Sequence, residues 1–112
     1  IHIAKRIHKP EDDILVLRVA DLELDTKELR ARRGNKTIKL TNQEGKLLYY
    51  LMCNIGKVVT RKMILSRIWL YSADIETRVV DVYIGYLRKK IDGGSSKKLI
   101  RSIRGRGYLI KE

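Results

Sequence analysis

The stretch TRVVDVYIGYLRKKI, residues 77–91, decides the fold that this sequence predicts. Wrapped on a helix at about 100° per residue, it divides into two faces. One face is an aliphatic stripe typical of a buried core, made of Val80, Ile84, Leu87 and Ile91. The opposite face carries Arg78, Val82, Gly85 and Lys89, with Tyr86 at its margin. Two cations beside a bare valine and a glycine are unusual for a face that meets only water, so we expect this face to contact a partner.

A strand is the alternative reading of this stretch, because valines favour strands. The aliphatic residues at 80, 84, 87 and 91, however, fit helical spacing over three turns. A strand of that length would also exceed what is usual in a small domain. The pattern therefore favours a helix.

The charge of the chain indicates a polyanionic partner. Its 112 residues include 25 Lys/Arg and 13 Asp/Glu, which give a net charge of +12. The excess is concentrated at the C-terminal end, where residues 77–112 hold ten basic and three acidic side chains. Such a region is the electrostatic footprint of a nucleic-acid binder. A solvated basic surface, or an unspecific contact with RNA or a membrane surface, would give the same count.

Composition restricts the remaining classes. The length predicts one domain, and no apolar run approaches the roughly 20 residues of a membrane-spanning helix. The single cysteine, Cys53, lies in an apolar helical pattern that predicts a buried free thiol in a reducing compartment, and hence a cytoplasmic protein. No phosphate-binding glycine loop, Cys/His set or catalytic carboxylate pair indicates an enzyme, a cofactor or a metal site. His2 and His8 are not accompanied by a second set of candidate metal ligands, so they do not indicate a metal site.

Working outward, the sequence predicts elements on both sides of this helix. Upstream, the period-2 alternation of residues 14–40 predicts an antiparallel meander of about four short strands. Thr41-Asn42-Gln43-Glu44 is a capping box that opens a first helix, and Thr60 is a candidate N-cap for a second. Downstream, LIRSIRGRGYLI (99–110) predicts a hairpin around Gly105-Arg106-Gly107. The predicted fold is α+β: a winged helix-turn-helix with an N-terminal antiparallel β-meander, three helices and a C-terminal β-hairpin wing.

Four segments in this order resemble the DNA-binding effector domain of OmpR/PhoB-type response regulators. They are LTNQEGKLLYYL (40–51), GKVVTRKMILSRIW (56–69), TRVVDVYIGYLRKKI (77–91) and LIRSIRGRGYLI (99–110). The resemblance runs from about residue 14 to residue 112. It implies sequence-specific binding of double-stranded DNA and transcription regulation as the output domain of a two-component system. Residues 1–13 would then be a linker from an N-terminal receiver domain, and residues 14–112 the winged-helix domain.

The resemblance also implies partners. Domains of this family bind direct-repeat DNA as head-to-tail homodimers, and they follow a phosphorylatable receiver domain that is served by a cognate histidine kinase. They contact RNA polymerase through the loop before the recognition helix. In this chain that loop would consist of Leu70, Tyr71, Ser72, Ala73, Asp74, Ile75 and Glu76.

Candidate site residues follow from the outward face of the third helix and, where positions match, from the resemblance. The third helix would lie in the major groove, which admits one α-helix. The candidate major-groove contacts are Arg78, Val82, Gly85, Tyr86 and Lys89. Arg78 and Lys89 would meet phosphates, and the methyl groups of Val82 suit a thymine C5-methyl. The wing would place Arg104, with Arg106 beside it, in the minor groove. The candidate contacts to the DNA backbone are Arg61, Trp69, Arg88, Ser102 and Tyr108.

Several of these residues have plain structural alternatives. Tyr108 equally suits packing at the root of the wing, Trp69 suits the core, and Tyr86 could be an ordinary surface aromatic. We expect Asp81 to pair with a nearby arginine rather than to accept a hydrogen bond from cytosine. The second candidate function is a non-specific RNA- or ribosome-associated basic module, although the six tyrosines form no cluster typical of RNA-binding sheets.

Four positions depart from the family pattern, one of them Arg106, which stands where a small residue is often found. Gly85 and Tyr86 stand where family members often carry base-reading arginines, so specificity is expected to depend on the wing, on DNA shape and on Val82. Gly45 replaces a family phenylalanine, which puts the local core packing in question.

Overall fold

The N-terminal half of the chain is an antiparallel sheet. The computed structural model describes residues 5–9, 14–69 and 77–112. Five strands follow one another: β1 (Lys5–Lys9), β2 (Ile14–Val19), β3 (Leu22–Asp25), β4 (Arg30–Arg33) and β5 (Lys36–Lys39). Each pairs antiparallel with the next, so the order in the sheet is the order in the chain. The predicted meander is confirmed, with one strand more than expected. The extra strand, β1, lies within the stretch assigned to a linker and pairs with β2.

Three helical segments and a hairpin complete the fold. The helices are α1 (Asn42–Cys53), α2 (Arg61–Ile64), which continues as a π-helical turn (Leu65–Trp69), and α3 (Arg78–Ile91). The hairpin consists of β6 (Ile100–Ile103) and β7 (Gly107–Ile110), which form a separate two-stranded sheet. This arrangement confirms the winged helix-turn-helix. Among the described residues no helix has the length and apolar character needed to cross a bilayer.

The aliphatic stripe of α3 is buried as its spacing predicts. Val80, Ile84, Leu87 and Ile91 are each at most 1% exposed and belong to the main hydrophobic core. Leu47, Leu48 and Leu51 of α1 share that core. Burial of each such side chain contributes about 1.5–3 kcal/mol, so this contact fixes which face of α3 remains outside.

The first helix begins with the predicted capping box. Thr41 Oγ1 accepts a hydrogen bond from the Glu44 backbone N–H, and Glu44 Oε1 accepts one from the Thr41 N–H at 2.9 Å. Glu44 Oε1 also accepts from Lys90 Nζ at 2.6 Å, which joins α1 to α3. Burial alone would raise the pKa of Glu44, but the hydrogen bonds from Lys90 and Thr41 outweigh it and lower this pKa below its ordinary value.

Replacing Glu44 by glutamine should make the domain less sensitive to acid. A carboxyl whose pKa is lowered by folding stabilises the native state above its unfolded pKa, and this stabilisation is lost as the pH falls through the folded pKa. We expect Glu44→Gln to cost about 1 kcal/mol at pH 7, and this difference to shrink below about pH 4. Urea unfolding at pH 7 and pH 3 measures both values. The exposed Glu28→Gln is the control, and a Glu44→Gln deficit that persists at pH 3 would contradict the prediction.

The questioned packing at Gly45 has a structural answer. Leu29, whose φ is +53°, lies directly over this glycine. A Cβ at residue 45 would come within 2.8 Å of Leu29 Cβ. Leu29 therefore occupies the space that a larger residue on α1 would need, and a glycine is required beneath it.

A buried arginine links the sheet to the end of α3. Arg33 is 6% exposed and points inward from β4. Its Nε donates to Asp21 Oδ1 at 2.6 Å, and its Nη1 donates to Asp92 Oδ1 at 3.0 Å. It also donates to two backbone carbonyls, those of Ile91 at 2.9 Å and Lys97 at 2.7 Å. All three guanidinium nitrogens are therefore bonded, which is what a buried charge requires.

Asp92 extends this network to the hairpin. Its side chain is 2% exposed and accepts from the backbone N–H groups of Leu99 at 3.1 Å and Ile100 at 3.0 Å, in addition to Arg33. Asp92 caps the end of α3, and Ile100 begins β6. One ion pair thus holds the sheet, α3 and the first strand of the hairpin together.

Candidate nucleic-acid interface

The five residues predicted to face the major groove lie together on the exposed face of α3. Arg78, Gly85 and Lys89 are exposed, and Val82 and Tyr86 are 42% and 52% exposed. The helix is thus divided into the buried and outward faces that its sequence predicts. Their contact with DNA stays a prediction.

A row of aromatic rings supports one edge of this face. The rings of Trp69 and Tyr83 meet edge to face with centroids 5.2 Å apart, and Tyr83 meets Tyr86 in the same way at 5.5 Å. Trp69 is partly buried against the core, which supports the core alternative for this residue. The contact with Tyr83 limits the rotamer freedom of Tyr86.

The hairpin ends in a basic turn. Arg104 and Arg106 are exposed on either side of Gly105, whose φ is +74°. The turn is closed by a hydrogen bond from the Arg106 N–H to the Ile103 carbonyl at 2.9 Å. Two guanidinium groups therefore stand at the tip, as the sequence predicts for a wing, and their contact with a minor groove stays a prediction.

The root of the hairpin docks on the segment before α2. Val59 and Tyr108 exchange two backbone hydrogen bonds, at 2.8 and 3.0 Å. Gly107, with φ +149°, passes so close that a Cβ there would lie 2.1 Å from the Val59 carbonyl oxygen. Only glycine allows the hairpin to approach this segment.

Asp81 connects α3 to the hairpin and to α2. Its Oδ1 accepts from Arg61 Nε at 2.7 Å and from the Tyr108 hydroxyl. The expectation that Asp81 pairs with an arginine is confirmed. Partial burial alone would raise the pKa of Asp81, but the hydrogen bonds from Arg61 and Tyr108 outweigh it and lower this pKa. Burial, and then the bond to Asp81, raises the pKa of Tyr108.

This geometry supports the alternative role of Tyr108, packing at the root of the wing, while its contact with the DNA backbone stays a prediction. Tyr108 is only 7% exposed, and its hydroxyl donates a hydrogen bond to Asp81. Its ring also lies under the Arg61 guanidinium, 5.9 Å from centroid to Cζ. Tyr108 therefore packs at the root of the wing. The Arg61 side chain is 46% exposed, so its assignment to a phosphate stays a prediction.

A basic hollow of about 500 Å³ lies between α3 and β6. Arg88 and Lys89 line it from α3, where Arg88 Nη2 donates to the exposed Ser102 Oγ at 2.8 Å. Lys98 and Ile100 also line it, and neither residue is among the site candidates that the sequence predicts. The period-2 spacing of 98, 100 and 102 is the signal that could have placed them on one face.

Two sequence predictions fall elsewhere. The proposed polymerase-contact loop, 70–76, lies outside the described residues. Cys53 is half-buried rather than buried, because it is the last residue of α1 and borders an open cleft of about 580 Å³. This cleft contains none of the candidate DNA contacts.

Comparisons with known proteins agree with this architecture. Residues 34–110 match the family model described as transcriptional regulatory protein, C terminal. YkoG of Bacillus subtilis, an uncharacterized transcriptional regulatory protein, is 45% identical over 103 residues, which cover 92% of this chain and 45% of YkoG. The chain thus spans just under half the length of this relative.

Two solved structures illustrate the similarity. The response regulator DrrB of Thermotoga maritima, described as an OmpR/PhoB homolog, has 31% identity and a TM-score of 0.75, covering 87% of this chain and 44% of DrrB. The DNA-binding domain of Klebsiella pneumoniae RstA, solved in complex with the RstA box, has 25% identity and a TM-score of 0.76. That match covers 86% of this chain and 96% of the RstA domain.

Proposed function

Because this chain belongs to the OmpR/PhoB-type family of C-terminal transcriptional regulatory domains, we propose that it binds DNA with α3 in the major groove and the hairpin wing in the minor groove. DNA-binding transcription regulation, as the output domain of a response regulator, is the function of this family. The proposal concerns which residues of this chain carry that function.

The observation that carries the proposal is the division of α3 into two faces. Its aliphatic stripe is sealed in the core, whereas Val82 and Tyr86 are 42% and 52% exposed between cations. Exposed apolar groups such as Val82 gain no hydrogen bonds from water. An apolar centre between cations suits the major groove, where phosphates flank the base edges.

The roles of the individual side chains follow from their positions. Arg78 and Lys89, near the two ends of the outward face, meet phosphates and set the position of the helix on the duplex. Arg104 and Arg106 enter the minor groove, where narrow A·T-rich stretches attract guanidinium groups. Arg88, Ser102, Trp69 and Arg61 are further candidates for the DNA backbone.

The finer partners are part of the same proposal. We propose a direct-repeat operator bound by a head-to-tail homodimer, a receiver domain in the same protein, a cognate histidine kinase and RNA polymerase. The family resemblance supports these assignments, as it supports a cytoplasmic location.

A titration of Arg104→Ala tests the wing. We expect an affinity loss of about 5- to 20-fold for the selected site, a weaker preference for A·T at the wing position, and a salt slope reduced by about 1. Arg30→Ala, which removes an exposed arginine from β4, is the charge-matched control and should leave preference unchanged. The site is first selected from a random duplex pool. Unchanged affinity and preference in Arg104→Ala would refute the wing assignment.

An RNA competitor in the same titration tests the second candidate function. A non-specific basic module would bind RNA and DNA of equal length with equal affinity, and the random pool would yield no preferred sequence. The proposed function is supported if the pool yields a preferred duplex site and RNA does not displace that duplex from the protein.

A further inference from the structure

No packing contact among the described residues requires a glycine at position 85. Gly85 lies in the middle of α3, and a Cβ built on it meets nothing within 4 Å. Glycine is among the least stabilising residues in a helix interior, so its presence there calls for a reason. Gly45 of α1 has one, since a Cβ there would collide with Leu29. For Gly85 the described residues offer no such neighbour, and the reason must be something that approaches the helix from outside.

The side chains around Gly85 define what that partner can be. Val82 is 42% exposed one turn before it, and Tyr86, the next residue, has a 52% exposed ring that contacts Tyr83. The cations of the outward face stand towards its ends, at Arg78 and Lys89. The centre of this face thus holds two methyl groups, a bare backbone and one hydroxyl. None of these three residues carries the paired donors that recognise guanine. A nearby guanidinium, that of Arg88, lines the hollow beside Gly85 and donates to Ser102.

We propose that the centre of α3 recognises thymine through its C5-methyl group, and that Gly85 sets the depth of the helix in the major groove. This inference rests on the proposed function, because it requires α3 in that groove. Without a Cβ at position 85, the backbone approaches the base edges closely enough for a methyl group to be enclosed by Val82 and the Gly85 α-carbon. The specific site therefore contains T·A pairs opposite the middle of α3.

Deoxyuridine provides a direct test, because it lacks only the methyl group and keeps every base-pairing atom of thymidine. Each thymine of the selected site is replaced singly, and affinity is measured by competition. At one or two adjacent central positions, we expect the replacement to weaken binding about fourfold, which is the effect of one buried methyl group. Thymines under the wing are the internal control, because their methyl groups lie in the opposite groove. Twofold or smaller losses at every central position would overturn the proposal.

Two variants assign the effect to the residues. In Val82→Ala the deoxyuridine loss at the affected position should fall to less than twofold. Gly85→Ala should raise the urea midpoint of the free domain while weakening binding to the selected site at least fivefold. Because the two readouts move in opposite directions, misfolding cannot explain this result. A raised midpoint with unchanged affinity would overturn the role of Gly85.

The outcomes separate this inference from the proposed function. If the random pool yields no preferred duplex site, the proposed function itself fails. If a preferred site exists but its central thymines tolerate deoxyuridine, DNA binding stands and methyl recognition fails. Replacement of a central T·A pair by 5-methylcytosine·G should retain more affinity than replacement by C·G, and equal affinities would also overturn the methyl assignment.

Discussion

Replacing Arg33 by methionine should lower the free energy of unfolding by about 3–5 kcal/mol. The Asp92 carboxylate is 2% exposed, and in this variant it would remain buried without its guanidinium partner. Two backbone carbonyls that accept from Arg33, those of Ile91 and Lys97, would lose their donor as well. For a domain whose total stability is about 5–15 kcal/mol, this is the loss of a large part of it.

Urea unfolding of matched variants measures this effect. Arg32→Met is the control, because Arg32 is the neighbouring arginine of β4, is 55% exposed, and makes a surface ion pair with Glu23 worth about 0–1 kcal/mol. The double variant Arg33→Met/Asp92→Asn should be more stable than the sum of the two single losses predicts, since it leaves no unpaired buried charge. Equal losses in Arg33→Met and Arg32→Met would refute the role of the buried pair.

Gly107→Ala should destabilise the domain by about 3 kcal/mol and detach the wing. Two causes combine at this position. Its φ of +149° is accessible to glycine and strained for alanine, and the new Cβ would lie 2.1 Å from the Val59 carbonyl oxygen. Relief of this overlap requires breaking the two backbone hydrogen bonds between Val59 and Tyr108.

Gly105→Ala separates these two causes. Gly105 also has a left-handed φ, +74°, but a Cβ there meets nothing within 4 Å. We expect this control to lower the free energy of unfolding by about 1 kcal/mol, because it adds only the backbone strain. Thermal unfolding gives the stabilities, and amide exchange of the Val59 N–H reports whether the wing has detached. Equal costs for the two variants would show that close approach to Val59 is unimportant.

Features governed by local pattern were predictable from the sequence. The two faces of α3, the Thr41 capping box and the glycine turn of the hairpin each depend on neighbours within a few residues. The structure confirms all three. The order of elements then restricts the fold to a winged helix.

Features produced by contacts between distant segments were harder to predict, and the buried Arg33 was missed. Arg33 belongs to a run of basic residues that is typical of a solvated surface, yet it is buried in an ion pair with Asp92. This partner lies 59 positions away, so local pattern does not reveal it. The alternation of β4 does place Arg33 on the same inward face as Ala31. Burial of a charged side chain there can be predicted only when its partner is known. For Tyr108 the sequence left two roles open, because its hydroxyl partner Asp81 lies 27 positions away. The proposed DNA contacts depend on a second molecule and stay predictions.

The hydrogen bond between Tyr108 and Asp81 has a consequence for the operator. Together with the backbone hydrogen bonds between Tyr108 and Val59 and the network of Arg33 and Asp92, it ties the hairpin to α3 and its neighbours. Under the proposed function, the fold therefore sets the spacing between the two DNA contacts. Each inserted base pair would advance one contact by about 3.4 Å and turn it by about 35° around the duplex axis. A half-site for this protein should therefore tolerate many base substitutions between the two contacts and no change in their number.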